Sequence, residues 1–286
     1  MKVKTAAKIN LALDVIGRLE NGYHSLESVF QTVGLYDEVT VETNDTGAIK
    51  VSCELPEFFG KSDPIPCDER NIAYKAAKRF FEENGMDCGC SIHIKKGIPS
   101  QAGMGGGSTD AAAVLYCLAK ITGRTFSSPE KLGADVPFFL TGGTAYVSGI
   151  GEKIESIADF SGRTLVIAKG REGVSTAEAY SLIDALEVPD HPQTSRLVSA
   201  IESEPDKAYE YFGNLFEQAI KLEEVDDIEK NMRECGALNP KMTGSGSAVF
   251  GLFTSREQAE NCAETLRNSG YFADVCETVD KAFIEL

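Results

Sequence analysis

Strict alternation of apolar and polar positions marks the beginning of the chain. Residues 3–8 and 11–16 are rich in apolar side chains, and residues 28–33 and 38–42 continue in the same manner. Val39 and Val41, then Ile49 and Val51, keep the period of two, so this part predicts a sheet. Glu20-Asn21-Gly22 carries the Asn-Gly signal of a tight turn between strands. Residues 54–70, rich in Pro, Asp and Gly, predict a loop. From Asn71 to Glu83 the spacing becomes helical, with Ile72, Ala76 and Phe80 on one face. Residues 90–96 alternate again, residues 97–107 form a glycine loop, and from Ser108 to Lys120 the pattern is strongly helical. The local order is therefore strand, glycine loop, helix. Further on, strands are predicted at 144–147, 164–168, 248–253 and 273–278, and helices at 176–186, 195–202, 226–235 and 255–269. Strands and helices mix on both sides of a break near 149–156. This predicts an α+β protein of two sandwich-like domains, residues 1–154 and 155–286.

Composition narrows the function. The 286 residues are 42% hydrophobic and 25% charged, which is enough apolar material for a core. The net charge of -16 excludes a general nucleic-acid binder, because phosphate backbones are held by Lys and Arg. An anion bound here must be held by local devices: backbone amides, a helix N-terminus and a few lysines. The opening MKVKTAAKINLALDV has basic residues before an apolar run, but Lys8 and Asn10 interrupt that run and no cleavage site follows. No stretch reaches the roughly 18 apolar residues of a membrane span. The expectation is a cytoplasmic protein with no membrane partner, its 8 cysteines reduced. Cys88 and Cys90 lack a second pair or a histidine at zinc-like spacing.

The strongest chemical signal is Pro99-Ser100-Gln101-Ala102-Gly103-Met104-Gly105-Gly106-Gly107-Ser108-Thr109-Asp110. Glycines between a strand and a helix let an anion approach the backbone amides, and the helix that follows presents unpaired N–H groups. Ser108 and Thr109 add hydroxyls. There is no Gly-Lys-Ser/Thr ending, and Ser108 stands where a dinucleotide fingerprint has its last glycine, so neither of those motifs fits. A second cluster, Thr243-Gly244-Ser245-Gly246, precedes an apolar strand. Alone it reads as a loop entering that strand; with the first cluster it makes a second wall around phosphates. Lys8 interrupts an apolar strand, and a charge buried there needs a partner. Asp135, between Ala134 and Val136-Pro137, is the expected one. A paired Lys and Asp beside a phosphate loop suit phosphoryl transfer to a hydroxyl.

Lys8-Ile9-Asn10-Leu11, Pro99 to Asp110 and Thr243 to Ala248, in this order, resemble the GHMP small-molecule kinases: galactokinase, homoserine kinase, mevalonate kinase and relatives. Gly22-Tyr23-His24-Ser25-Leu26 and Gly133-Ala134-Asp135-Val136-Pro137 are similar to the branch whose acceptor is a methylerythritol linked to cytidine diphosphate. The resemblance implies an N-terminal domain with a left-handed βαβ unit, against the general rule, and a ferredoxin-like C-terminal domain with the site between them. It implies ATP and Mg²⁺, with transfer to the 2-hydroxyl of the acceptor. Asp135 would be the general base and Lys8 would hold the acceptor oxygen. Residues Pro99 to Thr109 would bind ATP, with Ser108 near the metal, whose other ligands stay unassigned. Asn10 and the cluster Thr243 to Gly246 would contact the acceptor, His24 would hydrogen-bond the cytosine, and Tyr23 with Tyr180 would bracket its ring. His93 and His191 receive no role. The implied partners are this acceptor and ATP, with no nucleic acid, and the chain is expected as a monomer or weak homodimer.

The chain departs from the family between Gly123 and Asp135, where relatives carry a longer helical stretch, so the segment that positions Asp135 cannot be taken over from them. A homoserine or mevalonate-type kinase is the alternative within the family; its acceptor has no base for Tyr23 and His24 to recognise. A non-catalytic metabolite binder is the other alternative, and it has no use for a Lys8–Asp135 couple.

Overall fold

Residues 2–18 form one strand, β1 (Lys2–Arg18), and residues 24–44 another, β2 (His24–Asn44), in place of the shorter strands expected from alternation. The two pair antiparallel, and the register shifts at Ala6/Ala7, Asn10/Ala12 and Val15/Gly17. Each bulge adds a residue on one side and breaks the period of two, which is why one long strand reads as two short ones. The computed structural model describes residues 1–20, 22–56 and 65–286. The Asn21 turn position and residues 57–64 of the expected loop lie outside the described residues.

β3 (Ile49–Glu54) and β4 (Gly89–Lys95) are parallel neighbours, joined through α1 (Ile72–Glu83). Asn71 caps α1, its side chain accepting a hydrogen bond from the Ala73 amide. α2 (Gly106–Thr122) begins two residues earlier than expected, and Gly105 at its cap has the left-handed φ of 71°. Its Ala111-Ala112-Ala113 run is fully buried, so small side chains bring the helix close to the sheet. A 3-10 turn, Pro129–Lys131, then leads into α3 (Val136–Thr141), with Pro137 in the first turn where its missing N–H costs nothing. β5 (Thr144–Gly149) and β6 (Lys153–Ser156) finish this part.

The second part contains β7 (Thr164–Lys169), α4 (Thr176–Ile183), α5 (Thr194–Ser203), β8 (Gly213–Asn214), α6 (Phe216–Ala219) and α7 (Glu223–Glu234). β9 (Leu238–Met242), β10 (Val249–Phe253), α8 (Arg256–Asn268), β11 (Phe272–Glu277) and β12 (Phe283–Glu285) follow. The first sheet has the order β12-β1-β2-β4-β3, with β5 and β6 continuing from β2 and β8 pairing with β1. The second has the order β11-β7-β10-β9. Setting aside the insertion α4 to α6, its chain order β7-α7-β9-β10-α8-β11 is the ferredoxin-like βαββαβ arrangement. The short strands β6, β9 and β12 were not among the expected ones, being too short or too polar to show alternation.

One core lies between the first sheet and its helices, and a second joins Ala7, Ile9 and Leu11 of β1 to Leu165, Ile167 and Phe250 of the other sheet. A third lies under α7 and α8. The two sheets therefore share β1 as a common wall. Among the described residues, no helix is long and apolar enough to cross a membrane.

Phe138 is fully buried and meets the Phe30 and Phe139 rings edge-on at 5.2 and 5.5 Å. Phe138→Ala is expected to cost about 3–5 kcal/mol, the usual result of truncating a buried phenylalanine. A lower urea midpoint with an unchanged slope is the expected measurement.

Candidate active site

Between β4 and α2 the chain makes the glycine loop, and its backbone shows why glycine is needed. Gly103 has φ 70°, and a Cβ there would lie 2.1 Å from the Thr243 carbonyl oxygen. Gly244 has φ 60°, and its Cβ would lie 2.7 Å from the Gly103 Cα. The two glycine clusters thus touch backbone to backbone, one from each half of the chain. The Ala248 amide donates to the Ala102 carbonyl at 3.3 Å, and the Lys8 amide to the Met104 carbonyl at 3.1 Å. Asn214 holds the far side, its amide donating to the carbonyls of Met242 and Gly244 at 2.7 and 2.9 Å.

This junction opens into a cavity of about 580 Å³. Residues 99–108 line it together with Lys8, Asn10, Asp135, Tyr180, Gly244 and Ser245. The first turn of α2 brings its free amides and positive dipole end to the same space, a fitting place for phosphate. Thr243 and Gly246 are not part of the lining, and Thr243 is fully buried.

Lys8 is 4% exposed, and its ammonium lies 3.8 Å from Asp135 Oδ2. It donates to Asn10 Oδ1 at 2.7 Å and sits 4.7 Å from the centre of the Phe30 ring. Burial lowers the Lys8 pKa, and the attraction of Asp135 opposes that shift. Asn10 in turn donates to Ser28 Oγ, and its backbone amide donates to Thr243 Oγ1, both at 2.9 Å. Its side-chain amide is thus engaged within the protein and steadies Lys8. Asp135 caps α3 at the end of the shortened segment, and the 3-10 turn suffices to carry it to Lys8.

At the other end Tyr180 lines the cavity, and the His24 ring stacks on it at 4.6 Å with an 18° tilt. His24 Nε2 lies 2.7 Å from Asp184 Oδ1. A carboxylate can only accept, so Nε2 carries a hydrogen and neutral His24 keeps Nδ1 as its acceptor. Tyr23 is 61% exposed and, like His24, lies outside the cavity lining; the ring that stacks on Tyr180 is that of His24. Thr109 also differs from expectation. Its hydroxyl is fully buried, donates to the Ala6 carbonyl at 2.8 Å and meets the Thr5 hydroxyl. The helical turn points it at β1, away from the loop. His191, given no role, pairs through Nδ1 with Asp14 Oδ1 at 2.8 Å.

Sequence reasoning missed Asp184, Arg70, Asn71 and Lys96. Arg70, Asn71 and Lys96 line the cavity. Lys96 had a readable signal, a charge at the end of a half-buried strand just before the loop. Asp184 had none, because its partner is distant in the chain.

Residues 71–143 match the family described as GHMP kinases N terminal domain, and residues 197–271 match GHMP kinases C terminal. The chain is 42% identical over 276 residues to a 4-diphosphocytidyl-2-C-methyl-D-erythritol kinase of Clostridium botulinum, covering 93% of this chain and 96% of that one. It is 41% identical to the enzyme of the same name from Clostridium tetani, covering 94% and 96%. Among solved structures it is similar to a 4-(cytidine 5'-diphospho)-2C-methyl-D-erythritol kinase, with TM-score 0.80, 30% identity and coverage of 97% and 98%. A homoserine kinase from Cytophaga hutchinsonii, at 18% identity and TM-score 0.77, shares the fold.

Gly103→Ala places a methyl group against the Thr243 carbonyl, so the two loops must separate. The expected result is ATP binding weakened by about tenfold or more in a calorimetric titration, since misplacing a binding element by about 1 Å has effects of that order. Gly123→Ala is the control. It has φ 69° but nothing within 4 Å of its added methyl, so it should lower the melting temperature and leave ATP affinity unchanged.

Proposed function

The chain belongs to the GHMP kinases, and from that premise we propose that it transfers the γ-phosphoryl group of ATP to the 2-hydroxyl of 4-diphosphocytidyl-2-C-methyl-D-erythritol, a step in non-mevalonate isoprenoid precursor synthesis. The observation that carries this reading is the Lys8–Asp135 couple, 3.8 Å apart in the same cavity as the glycine loop. It supports a base and a cation acting together beside a bound polyphosphate.

In this reading the loop amides and the first turn of α2 hold the phosphates, and Ser108 adds a hydroxyl. Among the described residues no group of three or more His, Cys, Asp or Glu gathers as a metal cage. Ser108, in the cavity lining, is the protein oxygen at hand for Mg²⁺ carried on the nucleotide. Mg²⁺ supplies charge neutralisation across the phosphates when bound. Asp135 takes the proton of the acceptor hydroxyl. Lys8, kept in place by Asn10, steadies the alkoxide that forms and keeps Asp135 turned towards it.

The acceptor's cytosine is assigned to the region of His24 and Tyr180. With Nε2 bonded to Asp184, His24 Nδ1 is left to accept from an exocyclic amine. Homoserine and mevalonate carry no nucleobase to present such an amine beside the Tyr180 ring.

An ATP-consumption assay with the cytidylylated acceptor, homoserine and mevalonate should show turnover with the first alone. Turnover with one of the others in its place would refute the assignment. Asp135→Asn should reduce kcat by about 100-fold or more, the loss usual for a general base. Retained ATP binding would separate that loss from misfolding. Lys8 must hold its proton to act, and burial lowers its pKa below that of an exposed lysine. On raising the pH, kcat should therefore fall at a pH below the range in which an exposed lysine loses its proton, and in Lys8→Arg that alkaline limb should disappear.

A further inference from the structure

Beneath the glycine loop lies a second buried ammonium, which the transfer chemistry above does not use. Lys96 follows β4 directly and is 5% exposed; Asp37 of β2 and Asp110 of α2 are 0% and 3% exposed. Lys96 Nζ donates to Asp110 Oδ2 at 2.8 Å and also to Asp37 Oδ2. The second oxygen of Asp37 accepts from the amides of Gly97 and Ile98 at 2.7 and 2.8 Å. Those are the first two residues of the loop. At the other end, a Cβ on Gly106 would lie 3.4 Å from Lys96 Nζ, so the ammonium packs directly under the residue that opens α2.

The arrangement is expensive unless complete. One buried cation faces two carboxyl groups, and removing Lys96 would leave both without a countercharge. Burial alone would lower the Lys96 pKa, but Asp110 and Asp37 together outweigh it and raise it. Burial raises the Asp110 pKa well above that of an ordinary carboxylate. Asp110 Oδ1 is buried with no hydrogen-bond partner, which a neutral carboxyl group tolerates better than a carboxylate. Asp37 accepts from Lys96 and from two amides, so both of its oxygens are engaged.

We propose that Lys96 is a positioning residue for phosphoryl transfer: bridging Asp37 and Asp110, it holds the two ends of the glycine loop at a set separation and so spaces the amides that grip the nucleotide. The proposal rests on the reading of that loop as the nucleotide cradle. Lys96 acts on the loop ends, and Lys8 and Asp135 act on the reacting oxygen.

The full chain and three variants test this, with ATP affinity measured by calorimetry and KM for the cytidylylated acceptor measured in the same preparations. Asp110→Ala removes one anchor of Lys96; Asp110→Asn keeps an acceptor for it without a charge. Asp110→Ser, too short to reach Lys96, replaces the alanine variant if that one shows no cooperative melt. In the anchor-deficient variant, ATP binding should weaken by about tenfold or more, as expected when a gripping element shifts by about 1 Å. Its KM for the acceptor should stay within about twofold. The asparagine variant should bind ATP within about threefold of the parent, because geometry and not charge is retained. Unchanged ATP affinity in the folded anchor-deficient variant would overturn the proposal. So would an equal loss for both substrates, or an asparagine variant as damaged as the alanine one. A parent protein that fails to bind ATP would bring down the nucleotide reading itself, and this proposal with it.

Discussion

The contact between Gly103 and the Thr243–Gly244 backbone is the constraint on which the rest of the site depends. A Cβ on either side would force the two clusters apart, since each would meet main-chain atoms well inside van der Waals distance. Because the first cluster leads into α2 and the second into β10, this contact ties the helix that faces the phosphates to the second sheet. The cavity is the space left where two turns meet without side chains between them. Glycine is used here for its lack of bulk, and its cost in chain entropy is accepted in both halves.

Two lysines are buried near that contact, and they are balanced differently. Lys8 has one carboxylate at 3.8 Å, an amide oxygen and an aromatic face, so its charge is held loosely and its pKa is lowered. Lys96 has two carboxylates in direct contact, and its pKa is raised. An ammonium that can yield to a changing neighbour suits a reacting centre, while one locked between two partners suits a frame. The same side chain therefore takes opposite properties from its surroundings.

The helical elements and the glycine loop were legible because their signals are local. The apolar face of α1 and the strand-loop-helix order each rest on residues close in the chain. The pairing of Lys8 with Asp135 was also readable, because a charge in an apolar strand demands a partner and few candidates exist. What escaped depended on distant geometry. Bulges split β1 and β2 into apparent fragments, and the turn of α2 rotated the Thr109 hydroxyl into the core. The stacking of His24 on Tyr180, with Asp184 at the end of α4 bonded to His24, joins residues some 160 positions apart in the chain. The ferredoxin-like order of the second sheet came from likeness, since β9 carries no alternation to announce it.

β12 pairs with the start of β1, Glu285 opposite Val3 and Phe283 opposite Thr5, and the Ala6 amide donates to the Ala282 carbonyl at 2.8 Å. The strand that bears Lys8 thus has one edge covered by residues made some 280 positions later. On the ribosome, the part of that edge at residues 3–6 stays open while everything between is translated, a long interval at about 5–20 residues per second. An unpaired strand edge invites the wrong neighbour. The edge at residues 3–6 is therefore closed only once residues 282–285 have been made.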